Sequence, residues 1–179
     1  MDILALLEAL RTDYLQEFEA AYYQQIEVNE QVFPEIALEI SGGLYKRLFV
    51  VDLIGRNGEA NSAIEVGISK AVYGGEVSFH YRDLTIEFGR VSWDSMRFVI
   101  QPAHEELVGF EQWFDKWIDL DGTRHVDDQI LSNVIHSSRL ENGLVEVDFG
   151  SAPTNSAVEL FDLFNMNEVK TVLVSSGRE

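Results

Sequence analysis

Ile3, Leu7, Leu10, Tyr14, Phe18 and Ala21 recur at three- and four-residue steps and are joined by Leu6 and Tyr22, while Glu8, Arg11, Gln16, Glu19 and Gln24 fall largely elsewhere. That period predicts an amphipathic helix over residues 2–27, with one face buried and one wet. Asp2 is placed to cap its first turn. Residues 29–34 read as a linker, because Pro34 bars a helix from running through it. Residues 45–54 form a nearly continuous apolar run rich in β-formers, followed by the turn signal Asn57-Gly58. Residues 63–69 are the candidate partner strand, with 59–62 making the connection looser than a two-residue hairpin. After Gly74-Gly75 the period becomes two: Val77, Phe79 and Tyr81, then Leu84, Ile86 and Phe88, each alternating with polar residues. Gly89 interrupts, Met96, Phe98 and Ile100 resume, and Pro102 stops the pattern. Alternation of this kind marks half-buried strands, and short polar turns between them fit an antiparallel sheet.

From 105 to about 120 the helical period returns through Leu107, Phe110, Phe114, Trp117 and Ile118, and Asp121-Gly122 ends it. Residues 126–138 are expected to form a second short helix, and Asn142-Gly143 a turn. Residues 144–149 alternate as a strand that Gly150-Ser151-Ala152-Pro153 turns. Ser156 and Glu159 stand at capping-box spacing before a densely apolar helix, and residues 169–175 close the chain as a strand. The expected fold is α+β in a single domain over residues 1–179. It consists of a mainly antiparallel sheet, an N-terminal amphipathic helix, flanking helices and a C-terminal strand–helix–strand unit.

Composition narrows the setting. At 179 residues and 46% hydrophobic the chain is ordinary globular material, not a disordered polyelectrolyte. With no cysteine it has no disulfide and no thiolate chemistry or ligation. No apolar run reaches a membrane span, and the first ten residues lack the basic flank of a signal peptide, so a cytoplasmic setting is expected. Net charge is −18, a field that repels nucleic-acid backbones and anionic membranes. The charge is uneven: residues 1–43 carry −8, 44–104 are neutral, 105–128 carry −6 and 129–179 carry −4. Acidity therefore gathers in the segments expected to be helical. Solubility alone calls for a net charge of roughly 2–8 in a small domain, which leaves an excess for a functional acidic face.

Candidate chemistry is sparse. His80, His104, His125 and His136 make no His-x-x-x-His pair. His125 with Asp127 and Asp128 is the most metal-like grouping, but a polar loop with one aspartate capping a helix explains it better, so no metal or other cofactor is expected. Asp119 to Gly122 lacks the ligand spacing of a calcium loop, with Ile130 where the bidentate glutamate belongs. The Gly150-Ser151 turn has no Gly-Lys-Ser/Thr and no nucleophile elbow around it, so it reads as a connection, not a catalytic or phosphate loop. Function must be argued from a site, and no enzyme site emerges.

Aromatic residues beside acids are the most suggestive feature. Trp113 and Trp117 lie four apart, flanked by Glu111, Asp115, Asp119 and Asp121. The expected partner-binding set is Trp113, Asp115, Asp119, Asp121, Asp127 and Asp128, since aromatic anchors ringed by carboxylates suit a basic protein partner. Helical spacing, however, favours core positions for both tryptophans over an exposed stripe, with Trp113 at the margin if Trp117 is core. With the stretches FEQWFDKWIDLDG (110–122) and VEVDFGSAPTNSAVELF (145–161), the chain resembles bacterial toxin-immunity proteins. The resemblance implies a small cytoplasmic inhibitor that binds a cognate toxin, often a cationic nuclease, and blocks its active site. Two other readings stand beside it: a non-catalytic structural or regulatory interaction module, and a small-ligand or metal-dependent enzyme built on residues 150–155 or 125–128.

Overall fold

Helix α1 spans Ile3–Val28, and Asp2 caps it by accepting a hydrogen bond from the Ala5 amide at 2.7 Å. Leu6, Leu7, Leu10, Tyr14 and Phe18 are its buried stripe, and beyond Phe18 no residue of the helix is buried. The computed structural model describes residues 2–42, 45–67, 73–127 and 129–177, the side chains of 40–42 and 45–47 excepted.

Three strands follow, β1 (Gln31–Gly42), β2 (Tyr45–Asn57) and β3 (Ala60–Ile64), paired antiparallel in that order. The expected linker at 29–34 is thus mostly strand. Proline is tolerated because β1 is an edge strand, where a missing N–H breaks no ladder on the open side. The β2–β3 connection is also tighter than expected: Asn57 pairs directly with Ala60, and Gly58 takes φ +59° in the two-residue turn. Part of the expected partner strand, residues 68 and 69, lies outside the described residues.

The second sheet has six strands: β4 (Val77–Tyr81), β5 (Leu84–Phe88), β6 (Met96–Gln101), β7 (Ser137–Glu141), β8 (Leu144–Asp148) and β9 (Thr171–Ser176). Their order is β4-β5-β9-β6-β8-β7, and only β5 and β9 pair in parallel. Leu84, Ile86, Phe88, Met96, Phe98, Ile100, Val145, Val147, Val172 and Val174 are all buried. Every one falls at alternate positions, so period two delivers them to one face. Helix α3 (Asn155–Met166) covers that face, with Phe161 set edgewise and Phe164 tilted on Phe98 at centroid distances of 6.1 and 5.9 Å. Each such ring, fully buried, contributes about 1.5–3 kcal/mol. The C-terminal strand–helix–strand unit is present, but β6 lies between β8 and β9 in the sheet. The molecule is α+β, with two mostly antiparallel sheets and three helices among the described residues.

Three local expectations are corrected. Helix α2 is only Phe110–Ile118, because Gly109 at φ +90° starts it and Asp119 at φ +49° stops it. No helix forms among the described residues of 126–138; the backbone there is drawn to other elements instead. Val134 N–H donates to Ser151 Oγ, Ile135 N–H to the Trp117 carbonyl and His136 N–H to the Asp148 carbonyl. The capping box is not made either. Helix α3 is capped at Thr154, Ser156 Oγ donates to the Pro153 carbonyl, and Glu159 turns to α2.

Candidate functional site

The tryptophans of α2 are core residues. Trp113 and Trp117 are each 5% exposed. Trp113 Nε1 donates to the Ser156 carbonyl and Trp117 Nε1 to Glu159 Oε2, both at 2.9 Å. An indole N–H that is buried finds an acceptor, and these two dock α2 on α3. Trp113 therefore presents no anchor at the surface.

The acids around them are placed differently. Asp115, Asp119 and Asp121 line one open hollow of about 360 Å³ together with Ile118 and Leu120. Asp115 and Asp121 are exposed, and Leu120 is 54% exposed among them. Asp127 is exposed too but does not line the hollow, and Asp128 lies outside the described residues. Asp119 is spoken for within the loop: Oδ1 accepts from the Thr123 N–H and hydroxyl, and Oδ2 from the Arg124 N–H at 2.8 Å. Partial burial presses its pKa up, but those hydrogen bonds and the Arg124 charge outweigh it and hold the carboxyl below its ordinary range.

These carboxylates stand at the C-terminal end of α2, where the helix dipole is negative and acids are disfavoured by roughly 0.3–1 kcal/mol each. Nearby bases are already engaged. Arg124 lies over the Trp117 ring at 4.9 Å and donates to the carbonyls of Lys116, Trp117 and Asn133, closing the helix end. Lys116 pairs with Glu159 at 2.7 Å. Among the described residues no ion pair reaches Asp115, Asp121 or Asp127.

A second constellation escaped the sequence. His136 is buried between the two sheets, its Nε2 2.8 Å from Glu35 Oε1 and its Nδ1 2.8 Å from Asp52 Oδ1, with Asp148 Oδ1 at 4.0 Å. Neutral imidazole has one N–H, so two carboxylates on its two nitrogens select the doubly protonated cation. Burial pulls the imidazole pKa down, but the Asp148 charge and the bonds to Asp52 and Glu35 overcome it and push it up to about 10. Asp148 is pushed up to about 7, chiefly by burial and with Asp52 adding, while His136 opposes.

Local structure positions each member. Glu35 and Asp52 face one another across β1 and β2, between the rungs Pro34–Leu53 and Ile36–Val51, and Glu35 takes φ +49°. A non-glycine residue in the left-handed region is strained unless its surroundings hold it there; here the Ser132 N–H and His136 hold its carboxylate. Asp52 also accepts from the Val66 N–H at 2.7 Å and Asp148 from the Gly150 N–H at 2.9 Å. Gly150, at φ +47°, lies flat on the imidazole: a Cβ there would come within 2.1 Å of His136 Cδ2. The edges of Tyr14 and Phe18 complete the enclosure, each ring centroid 6.4 Å from the imidazole.

Nε2 is hydrogen-bonded to Glu35, while Nδ1 makes an ion-pair contact with Asp52 without hydrogen-bond geometry; as the cation these contacts favour, His136 has no lone pair to act as a base. Ser151 Oγ, fully buried, accepts from Val134 N–H. The 150–155 turn is closed by α1: Arg11 donates to the Ser151 and Ala152 carbonyls, and Thr154 donates to Glu8. His125 is exposed and borders a separate hollow with Tyr22, Phe33 and Ile36. Among the described residues no group of three or more His, Asp or Glu is arranged to hold a metal ion. No helix among them is long and apolar enough to cross a membrane.

An acidic α+β chain with an open carboxylate hollow and a buried imidazolium junction is what the fold defines. No protein-family model, no curated protein and no solved structure matches it.

Proposed function

We propose that the chain acts by binding a basic protein, and that it is an inhibitor of the immunity type, neutralising a toxin enzyme by covering its active site. One observation carries the reading: Asp115, Asp119 and Asp121 gather around exposed Leu120 at the negative end of α2. Asp119 serves its own loop, but folding gains nothing from Asp115 and Asp121, since the helix dipole opposes them and no ion pair among the described residues reaches them. A cationic partner gains both a steering field and an apolar contact to desolvate. The surplus of −18 over the whole chain extends that field beyond contact range.

The test is capture of binding proteins from lysate of the source cells at low and high salt, with the unaltered chain and with an Asp115→Lys/Asp121→Lys variant. The proposal expects one basic protein, weakened by salt, lost with the variant, and inhibited in its own enzymatic activity by the unaltered chain. A partner held equally by both proteins at both salt concentrations would make the acidity a matter of solubility and the chain a structural or regulatory module.

A further inference from the structure

The three-stranded sheet joins the core through few apolar side chains, with Val32, Leu48 and Ile64 only half-buried against it. Among the described residues of β1, β2 and β3 the only buried hydrophobic side chains are Val50 and Leu53, with Val66 just beyond. β3 is exposed at every position but Ile64, which is half-buried. Against this, the six-stranded sheet and its covering helix bury more than a dozen large apolar side chains. The polar link between the two centres on His136. Its carbonyl accepts from Val50 N–H of β2 at 2.7 Å, its N–H donates to the Asp148 carbonyl of β8, and its ring hydrogen-bonds Glu35 of β1 and makes an ion-pair contact with Asp52 of β2.

We propose that His136 is a proton-operated latch: charged, it fastens β1–β3 to the six-stranded sheet, and uncharged it releases them while the sheet and α3 stay folded. Losing one proton leaves one nitrogen unable to donate, so a buried carboxylate faces a lone pair at hydrogen-bond distance. An uncompensated buried carboxylate must then regain water, and separating the sheets is the way to reach it.

The surroundings set the latch from every side. Glu35 comes from β1, Asp52 from β2 and Asp148 from β8. Tyr14 comes from α1, with its hydroxyl buried and without a hydrogen-bond partner among the described residues. Asp94, just before β6, adds negative charge at Tyr14 and Asp148. Arg11 of α1 is the opposing cation near Glu35, shared with Glu8. The carboxylates outnumber the cations, so the site holds its proton through neutral pH and gives it up in the alkaline range.

Amide hydrogen exchange read residue by residue at pH 7 and pH 10.5, and expressed as protection factors to remove the intrinsic pH dependence, tests this. Protection in β1–β3 is expected to fall at least about tenfold at pH 10.5, a change of about 1.4 kcal/mol in local opening, while β5, β6 and β9 change less than about threefold. Equal loss in both sheets, or no loss in β1–β3, would overturn the proposal. Glu35→Gln supplies a second reading, because removing one carboxylate weakens the hold on the proton. Release in that variant should move to lower pH, and release at an unchanged or higher pH would equally defeat the latch.

Discussion

Two glycines that both stand at positive φ separate strain from contact. Gly58 stands at φ +59° with nothing within 4 Å of where a Cβ would lie, and Gly150 stands at φ +47° with His136 Cδ2 2.1 Å from that point. Gly58→Ala meets only the left-handed backbone penalty, roughly 1–2 kcal/mol. Gly150→Ala meets the same penalty and must also displace the imidazole from Glu35 and Asp52. Breaking a buried charged pair costs about 3–5 kcal/mol. The ring can tilt and keep one partner, so the expected excess of Gly150→Ala over Gly58→Ala is about 2–4 kcal/mol. Urea unfolding of the two variants beside the unaltered chain measures it. With a slope of about 1–3 kcal/mol per molar urea, the excess lowers the midpoint by about 1 M or more. Losses agreeing within about 0.5 kcal/mol would refute the seating of His136 on Gly150, and with it the geometry of the junction.

Further outcomes follow from the same geometry. Both shifted groups of the junction hold a proton more tightly in the folded chain than in the unfolded one, so stability falls as pH rises. The Asp148 part is lost between about 4 and 7 and the His136 part between about 6.5 and 10, and melting temperature against pH should decline across both windows. Asp148→Asn should remove the slope in the acid window and end the alkaline window at a lower pH, because the Asp148 charge helps to hold the His136 proton, whereas a melting temperature flat or rising from pH 4 to 10 would contradict the assignment. Asp115→Asn/Asp121→Asn should raise stability slightly, by about 0.3–1 kcal/mol for each acid removed from the negative helix end, while weakening partner capture; a destabilised double variant in thermal unfolding would show that the acids serve the fold. Trp93, Trp113 and Trp117 are all buried, so tryptophan emission should be blue-shifted and resist acrylamide quenching until the chain unfolds. Trp113→Ala should cost about 3–5 kcal/mol in chemical denaturation, and a loss below about 1 kcal/mol would place Trp113 at the surface.

The sequence carried the fold where hydrophobic period was clean. The α1 stripe and the alternations at 77–88, 96–100, 144–149 and 169–175 fall on helix and strands as expected, because burial on one face is what the period encodes. It failed where backbone partners lay far away in the chain. Residues 126–138 satisfy their N–H groups on Ser151, Trp117 and Asp148, a choice that no local pattern records. Pro34 concealed β1, since proline forbids a helix but not an edge strand. The acidic positions of the α2 end were legible as composition, and helical spacing favoured core positions for the tryptophans, but the acids beside Trp113 drew it into the binding set although it is buried.

His136 was visible as a lone histidine and Gly150-Ser151 as a turn, and neither shows that they touch. One signal did stand in the chain. Asp52 interrupts the apolar run Val50-Val51-Asp52-Leu53-Ile54, and a carboxylate within a buried strand requires a charged or hydrogen-bonding partner. Following that demand leads to a cation, and of the four histidines only His136 supplies it.

The proposed role of the carboxylates at the end of α2 is to recruit a basic protein. The most direct measurement is the association rate of the captured partner as a function of ionic strength, for the unaltered chain and for Asp115→Lys/Asp121→Lys. The rate is expected to fall steeply with salt for the unaltered chain and to be slower and flatter for the variant. Rates and salt slopes that coincide for the two proteins would contradict it and remove this face from the interaction.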